Sequence, residues 1–106
     1  MGKYLLQVNY TAEGLRGLAK EGAENRVEYI RRFAESVGGT VEVFYFALGD
    51  RDAFVVMDAP GDTDITAASL AVGAAGVASI STVKLLTPAE VDAAIAKIAD
   101  YRAPGT

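Results

Sequence analysis

The sequence predicts an α+β domain: a four-stranded antiparallel sheet with its helices gathered on one side. Three observations carry that prediction. The first is a hairpin, VEVFYFAL (Val41–Leu48), then GDRD, then AFVVM (Ala53–Met57). Two runs rich in β-branched and aromatic residues flank a short turn of glycine and charge. The second is the order of patterns, strand–helix–strand–strand–helix–strand, followed by a last helix. The third is that both hairpin strands are too apolar to leave one side in water. Helices cover one side, and in a chain of 106 residues the simplest cover for the other is a second copy.

The first strand spans Lys3–Tyr10, with Tyr4, Leu6, Val8 and Tyr10 on one side and Leu5, Gln7 and Asn9 on the other. Thr11 is an N-cap candidate, with Glu13 in the first turn. Gly14, Gly17 and Gly22 make the helix that follows short and loose, because each interior glycine costs roughly 1 kcal/mol against alanine. A firmer helix is expected over Ala23–Val37, with Val27, Ile30, Ala34 and Val37 at helical spacing and Gly38-Gly39 as its stop. The hairpin strands are Thr40–Leu48 and Ala53–Asp58, closed by the breaker Ala59-Pro60-Gly61. Asp62 or Asp64 caps the next helix, which presents small inward residues and ends near Ala75. The fourth strand is Val77–Leu86. Thr87-Pro88-Ala89-Glu90 is a capping box with proline at the first helical position. The last helix is expected to reach about Tyr101 with Val91, Ala94, Ile95 and Ile98 inward. Right-handed crossovers turn this order into a ferredoxin-like βαββαβ fold plus a C-terminal helix. The whole chain, 1–106, reads as one domain, with a core over 3–98 and a frayed tail over 102–106.

Composition narrows the function. The net charge is −4, and Arg31-Arg32 is the one adjacent basic pair, which argues against nucleic acid and against an anionic membrane surface. There is no cysteine and no histidine. Disulfides, thiol nucleophiles, zinc–thiolate sites, the usual neutral-pH base and the usual haem ligand are therefore missing, and neither a metal nor a cofactor is expected. The apolar run in MGKYLLQVNY is too short for a secretory leader, and no run of about 18 apolar residues spans a membrane. The expected location is the cytoplasm.

The uncovered side of the sheet is the main candidate for function. Strict alternation puts Val41, Val43, Tyr45 and Ala47 under the helices. It leaves Glu42, Phe44, Phe46 and Leu48 on the open side, beside Leu5 and Val56. Such an apolar layer marks an interaction site, and two of them face to face give a closed twofold dimer, a dimeric α/β barrel. Gln7, Asn9, Glu42, Thr82 and Lys84 are the polar members of this side. They either line a ligand pocket or sit at strand ends in water. Glu42 is an edge carboxylate in water, a partner of Lys84, or, if buried alone, a proton shuttle with a raised pKa. In the Gly49–Asp52 corner, Gly49 serves the turn, Asp50 or Asp52 can bond to backbone N–H groups, and Arg51 at the tip can reach a ligand carboxylate. The glycine-rich stretch Glu13–Asn25 carries no phosphate-loop spacing.

The runs YLLQVNYTAEGLRGL, GGTVEVFYFALGDRD, SLAVGAAG and LLTPAEVDAAI together resemble the GYD-domain family, over about Lys3 to Ile98. The resemblance implies a ferredoxin-like, dimeric α/β barrel and no settled activity. In the family signature a tyrosine is typical where this chain has Arg51, between Asp50 and Asp52. The ligand-binding candidates are thus Gln7, Asn9, Glu42, Phe44, Phe46, Arg51 and Lys84. Three functions are open: a homodimeric small-molecule binding or sensing module; a cofactor-independent oxygenase or isomerase using Asn9, Glu42, Tyr45 and Arg51; and a structural assembly subunit, with higher oligomers possible.

Overall fold

The computed structural model describes all residues, Met1–Thr106. Its elements run β1 (Gly2–Tyr10), α1 (Ala12–Glu21), α2 (Ala23–Ser36), β2 (Thr40–Phe46), β3 (Ala53–Ala59), α3 (Asp62–Ala74), β4 (Ala78–Leu85) and α4 (Pro88–Ile95). The four strands form one antiparallel sheet in the order β2-β3-β1-β4. This is the ferredoxin-like arrangement: the two strands that are central, β3 and β1, come from different halves of the chain.

Local chemistry explains the boundaries. The Thr11 hydroxyl accepts from the Gly14 N–H at 3.1 Å and starts α1. Gly22, at φ 94°, ends α1 and turns the chain into α2, a conformation that side chains with a Cβ resist. α3 departs from expectation at its start. Its N-cap is Gly61, with no side-chain cap, and Asp62 already belongs to the helix. Asp62 is engaged elsewhere, as described below. The capping box of α4 forms as expected, with Thr87 and Glu90 satisfying each other's backbone N–H.

One side of the sheet packs against α1, α2 and α3. Tyr4, Val8, Val41, Val55, Met57 and Ala78 from the strands join Ala34 and Ile65 from the helices in the buried core. Strand β2 corrects the alternation drawn from the sequence. Val41 pairs with Met57 and Val43 with Val56, so Glu42 is an extra residue, a β-bulge. A one-residue insertion reverses the side on which every later residue points. Phe44, paired with Val55, and Phe46, paired with Ala53, therefore turn toward the helices. Val43 and Tyr45 take their places on the open side. β2 also stops at Phe46, short of Leu48. A second correction concerns β4. Thr82 pairs with Leu6 and Lys84 with Tyr4, so both lie on the helix side, and the open side of β4 carries Ser79, Ser81 and Val83.

The C-terminal helix differs most from expectation. α4 ends at Ile95, not near Tyr101, and every residue from Leu86 to Thr106 is exposed. Val91, Ile95 and Ile98 face solvent rather than a core. Eight residues of helix with no surface to pack on have little to extend them, since most helical stability in proteins comes from burying an apolar face.

Candidate functional site

Four polar clusters, one apolar cavity and one more open recess stand out. The cavity lies between the sheet and the helices and has a volume of about 400 Å3. Twenty of its 26 lining residues are hydrophobic. Its floor is Leu6, Val8, Phe44, Val55 and Ile80 from the sheet, and its walls come from all three packed helices. It exists because the helices that cover the sheet carry small residues there, among them Gly17, Ala68 and Ala75. Phe44 reaches it only because of the Glu42 bulge.

Arg26, Glu21 and Tyr10 give the cavity one polar end. Arg26 Nε donates to Glu21 Oε1 at 2.6 Å, and its guanidinium lies 4.9 Å from the centroid of the Tyr29 ring. Tyr29 in turn stacks on Phe33. Tyr10 belongs to the same end, near enough to feel the charges of Arg26 and Glu21, while Glu13 lines the cavity from the first turn of α1. Burial pushes the Tyr10 phenol above its ordinary pKa, against the opposing pull of Arg26 and with help from Asp52 and Glu21. Tyr10 is thus a neutral hydrogen-bond donor at physiological pH. No pattern in the sequence points to Arg26, Tyr10 and Glu21 as a group, because their positions are joined only by packing α1 and α2 across the sheet.

The second cluster is the Gly49–Asp52 corner. Asn9 Nδ2 donates to the Asp50 carbonyl at 2.8 Å, and Arg51 Nη1 donates to Asn9 Oδ1 at 3.2 Å. The Asp52 carboxylate accepts from the Tyr10 N–H at 2.8 Å. The corner is thus tied to the end of β1, and Arg51, expected free at the tip, folds back onto Asn9. The candidates Asn9 and Arg51 are brought together here.

Glu42 sits at the bulge, exposed, and pairs with Lys3, which also meets Asp58 at 3.1 Å. The hydrogen bonds that Lys3 donates to Glu42 and then to Asp58 raise its pKa. Glu42 therefore neither pairs with Lys84 nor sits buried as a proton shuttle. Lys84 lies on the other side of the sheet, where it donates to Asp62 Oδ1 at 2.9 Å, while the Tyr4 hydroxyl donates to the same oxygen. Those two bonds, Tyr4 first, hold the Asp62 carboxyl below its ordinary pKa, and the bonds of Lys84 to Asp62 and then to Tyr4 raise the Lys84 pKa. A second recess of about 400 Å3, more open to solvent, surrounds this trio. Gln7 lies on the open side between Phe54 and Ser81, apart from the other candidates. The seven sequence candidates are thus dispersed over both sides of the sheet. No group of three or more acidic, histidine or cysteine side chains is placed to hold a metal ion.

The family model described as the GYD domain matches residues 4–95. The chain belongs to the GYD domain family. The match ends at the last residue of α4, so this GYD domain includes the exposed helix as well as the sheet and its cover. No curated protein and no solved structure matches the chain.

Proposed function

We propose that this GYD domain is a small-molecule binding or sensing module that works as a homodimer, with the ligand held between the sheet and the helices. The observation that carries the reading is the cavity of about 400 Å3, apolar over most of its lining and polar at one end. Its volume falls in the ~300–1,000 Å3 range of small-molecule sites, and convergent polar groups on apolar walls are their usual form. The charge balance of the cavity lining narrows the ligand. Glu21 neutralises Arg26 and Glu13 adds a further negative charge, so an anion is disfavoured. A neutral, largely aromatic or aliphatic molecule with one acceptor group, reaching the Tyr10 hydroxyl, fits best. A purely structural subunit would gain stability by filling such a space rather than keeping it.

The dimer belongs to the same reading. On the open side of the sheet, Leu5, Val43, Tyr45, Phe54, Val56 and Val83 form one apolar layer, with Tyr45 70%, Val83 39% and Phe54 36% exposed. Facing sheets of this kind bury such layers against each other. Sedimentation equilibrium is expected to show a dimer that Val56→Asp converts to monomer. A wild-type monomer at tens of micromolar would refute this part.

Binding is tested by titrating the neutral dye Nile red and a library of uncharged aromatic compounds, read by fluorescence and thermal shift. Saturable binding is expected, with a ligand at 100 times its Kd adding about 2.7 kcal/mol. Ala68→Phe, which fills the cavity, should remain folded and lose the binding. Equal binding by that variant, or no response to any compound, would overturn the assignment.

A further inference from the structure

We propose that the segment from Leu86 to Tyr101 is an exchange arm that packs against a second copy of this chain, with Val91, Ile95 and Ile98 as its contact stripe. The inference rests on the homodimer reading above and adds to it a surface that the sheet does not contain.

Three observations carry it. The first is a conflict within α4. Its start is specified by a complete capping box and a proline at the first turn, yet every one of its residues is exposed. A helix of 8 residues is far shorter than the ~12–15 that are even marginal alone in water. A sequence that encodes such a start needs a surface that supplies the rest of the stability. The second is the apolar stripe. Val91, Ile95 and Ile98 recur at spacings of four and three, and are 43%, 55% and 75% exposed. Leu86 and Tyr101 flank them, equally uncovered. That spacing lays one side of a helical segment against a partner. The third is the size of what is left uncovered. The radius of gyration is 17.1 Å, against ~13 Å for a compact chain of this length. The accessible surface of 7178 Å2 exceeds by about 1,500 Å2 the ~5,650 Å2 expected of a compact monomer of this mass. A standard interface covers about 800 Å2 per partner. The excess is therefore enough for an interface larger than one sheet face requires.

The occupant is a second copy because the arm is continuous with the apolar layer proposed to face that copy. The arm leaves the sheet at the end of β4, an edge strand whose Val83 belongs to the open apolar layer. A copy docked on that layer meets the base of the arm, and twofold symmetry lets each arm reach the other protomer.

The test uses the full chain, which has no native cysteine to interfere. A nitroxide is attached to Lys97→Cys in unlabelled protein, which is mixed with isotope-labelled wild type. Paramagnetic broadening is expected at a contiguous set of amides in the labelled wild-type copy. In parallel, the variant Val91→Asp/Ile95→Asp/Ile98→Asp is expected to keep its fold by circular dichroism and to raise the dimer Kd at least tenfold. A wild-type dimer by sedimentation without intermolecular broadening, or with an unchanged Kd in the variant, overturns the arm and leaves the homodimer standing. A second sample, in which the spin-labelled copy is itself isotope-labelled and diluted in unlabelled wild type, reads the arm's own protomer; broadening there and none in the first mixture shows the arm folding back, which also overturns it. A wild-type monomer removes both readings at once.

Discussion

Gly14 offers the sharpest quantitative test of how α1 is seated. A Cβ at this position would lie 2.0 Å from the Val77 carbonyl oxygen, 2.9 Å from its carbon and 3.2 Å from Tyr10 Cδ1. The obstacle is backbone, so it cannot rotate away. Gly14→Ala must therefore lift the start of α1 from the turn before β4 by about 1 Å or more. That displacement disturbs the Thr11 N–H to Val77 carbonyl bond (3.0 Å), the Thr11 hydroxyl to Gly76 carbonyl bond (2.9 Å) and the N-cap bond to Gly14 itself. Each is worth about 1 kcal/mol. Against this, alanine in place of glycine stabilises a helix interior by about 1 kcal/mol. The net expectation is a loss of about 2 kcal/mol, or roughly 8–16 °C in Tm for a domain of this size. Gly17 is the internal control: it lies in the same helix with nothing within 4 Å of the added carbon, so Gly17→Ala should gain about 1 kcal/mol. Urea denaturation of both variants at one fixed protein concentration measures the contrast. Equal stabilisation by the two substitutions would refute the close approach of α1 to Val77.

Two further outcomes follow from the strands and the polar trio. Deleting Glu42 removes the bulge and turns Phe44 and Phe46 to the open side; the expected cost is about 2 kcal/mol, with loss of cavity binding, whereas Glu42→Ala keeps the bulge and binding alike. Asp62 has a lowered pKa, so its contribution to stability is complete above the ordinary aspartate range and is lost as pH falls through the lowered value. Carboxyl NMR titration should show its midpoint rising in Tyr4→Phe, which removes the hydrogen bond that is the largest single cause, and rising also in Lys84→Met, which removes both a hydrogen bond and a charge. An unmoved midpoint in Tyr4→Phe would rule out that bond.

The order of elements, the caps at Thr11 and Thr87 and the side occupied by the β1 residues were all legible in the sequence. Each depends on neighbours a few residues away: a hydroxyl reaching an N–H three positions on, or a strict alternation within one strand. Family membership was legible for a similar reason, since the runs that carry it are contiguous. The candidate site was less accessible. Asn9 and Arg51 were named and do meet, but Lys84, one of the partners considered for Glu42, lies on the other side of the sheet from it.

What decided those positions is register. A single inserted residue at Glu42 is invisible to a pattern of period two, yet it carries Phe44 from the open side to the cavity floor. The pairing of Lys84 with Tyr4 comes from how β4 slides along β1, which no local run of residues encodes. The sequence by itself determined which segments are strands and helices, because that follows from local hydrogen bonding and periodic burial. Only the tertiary structure decided where their side chains converge, because the cavity, its Arg26–Glu21–Tyr10 end and the stranded α4 arise from spacing between elements distant along the chain.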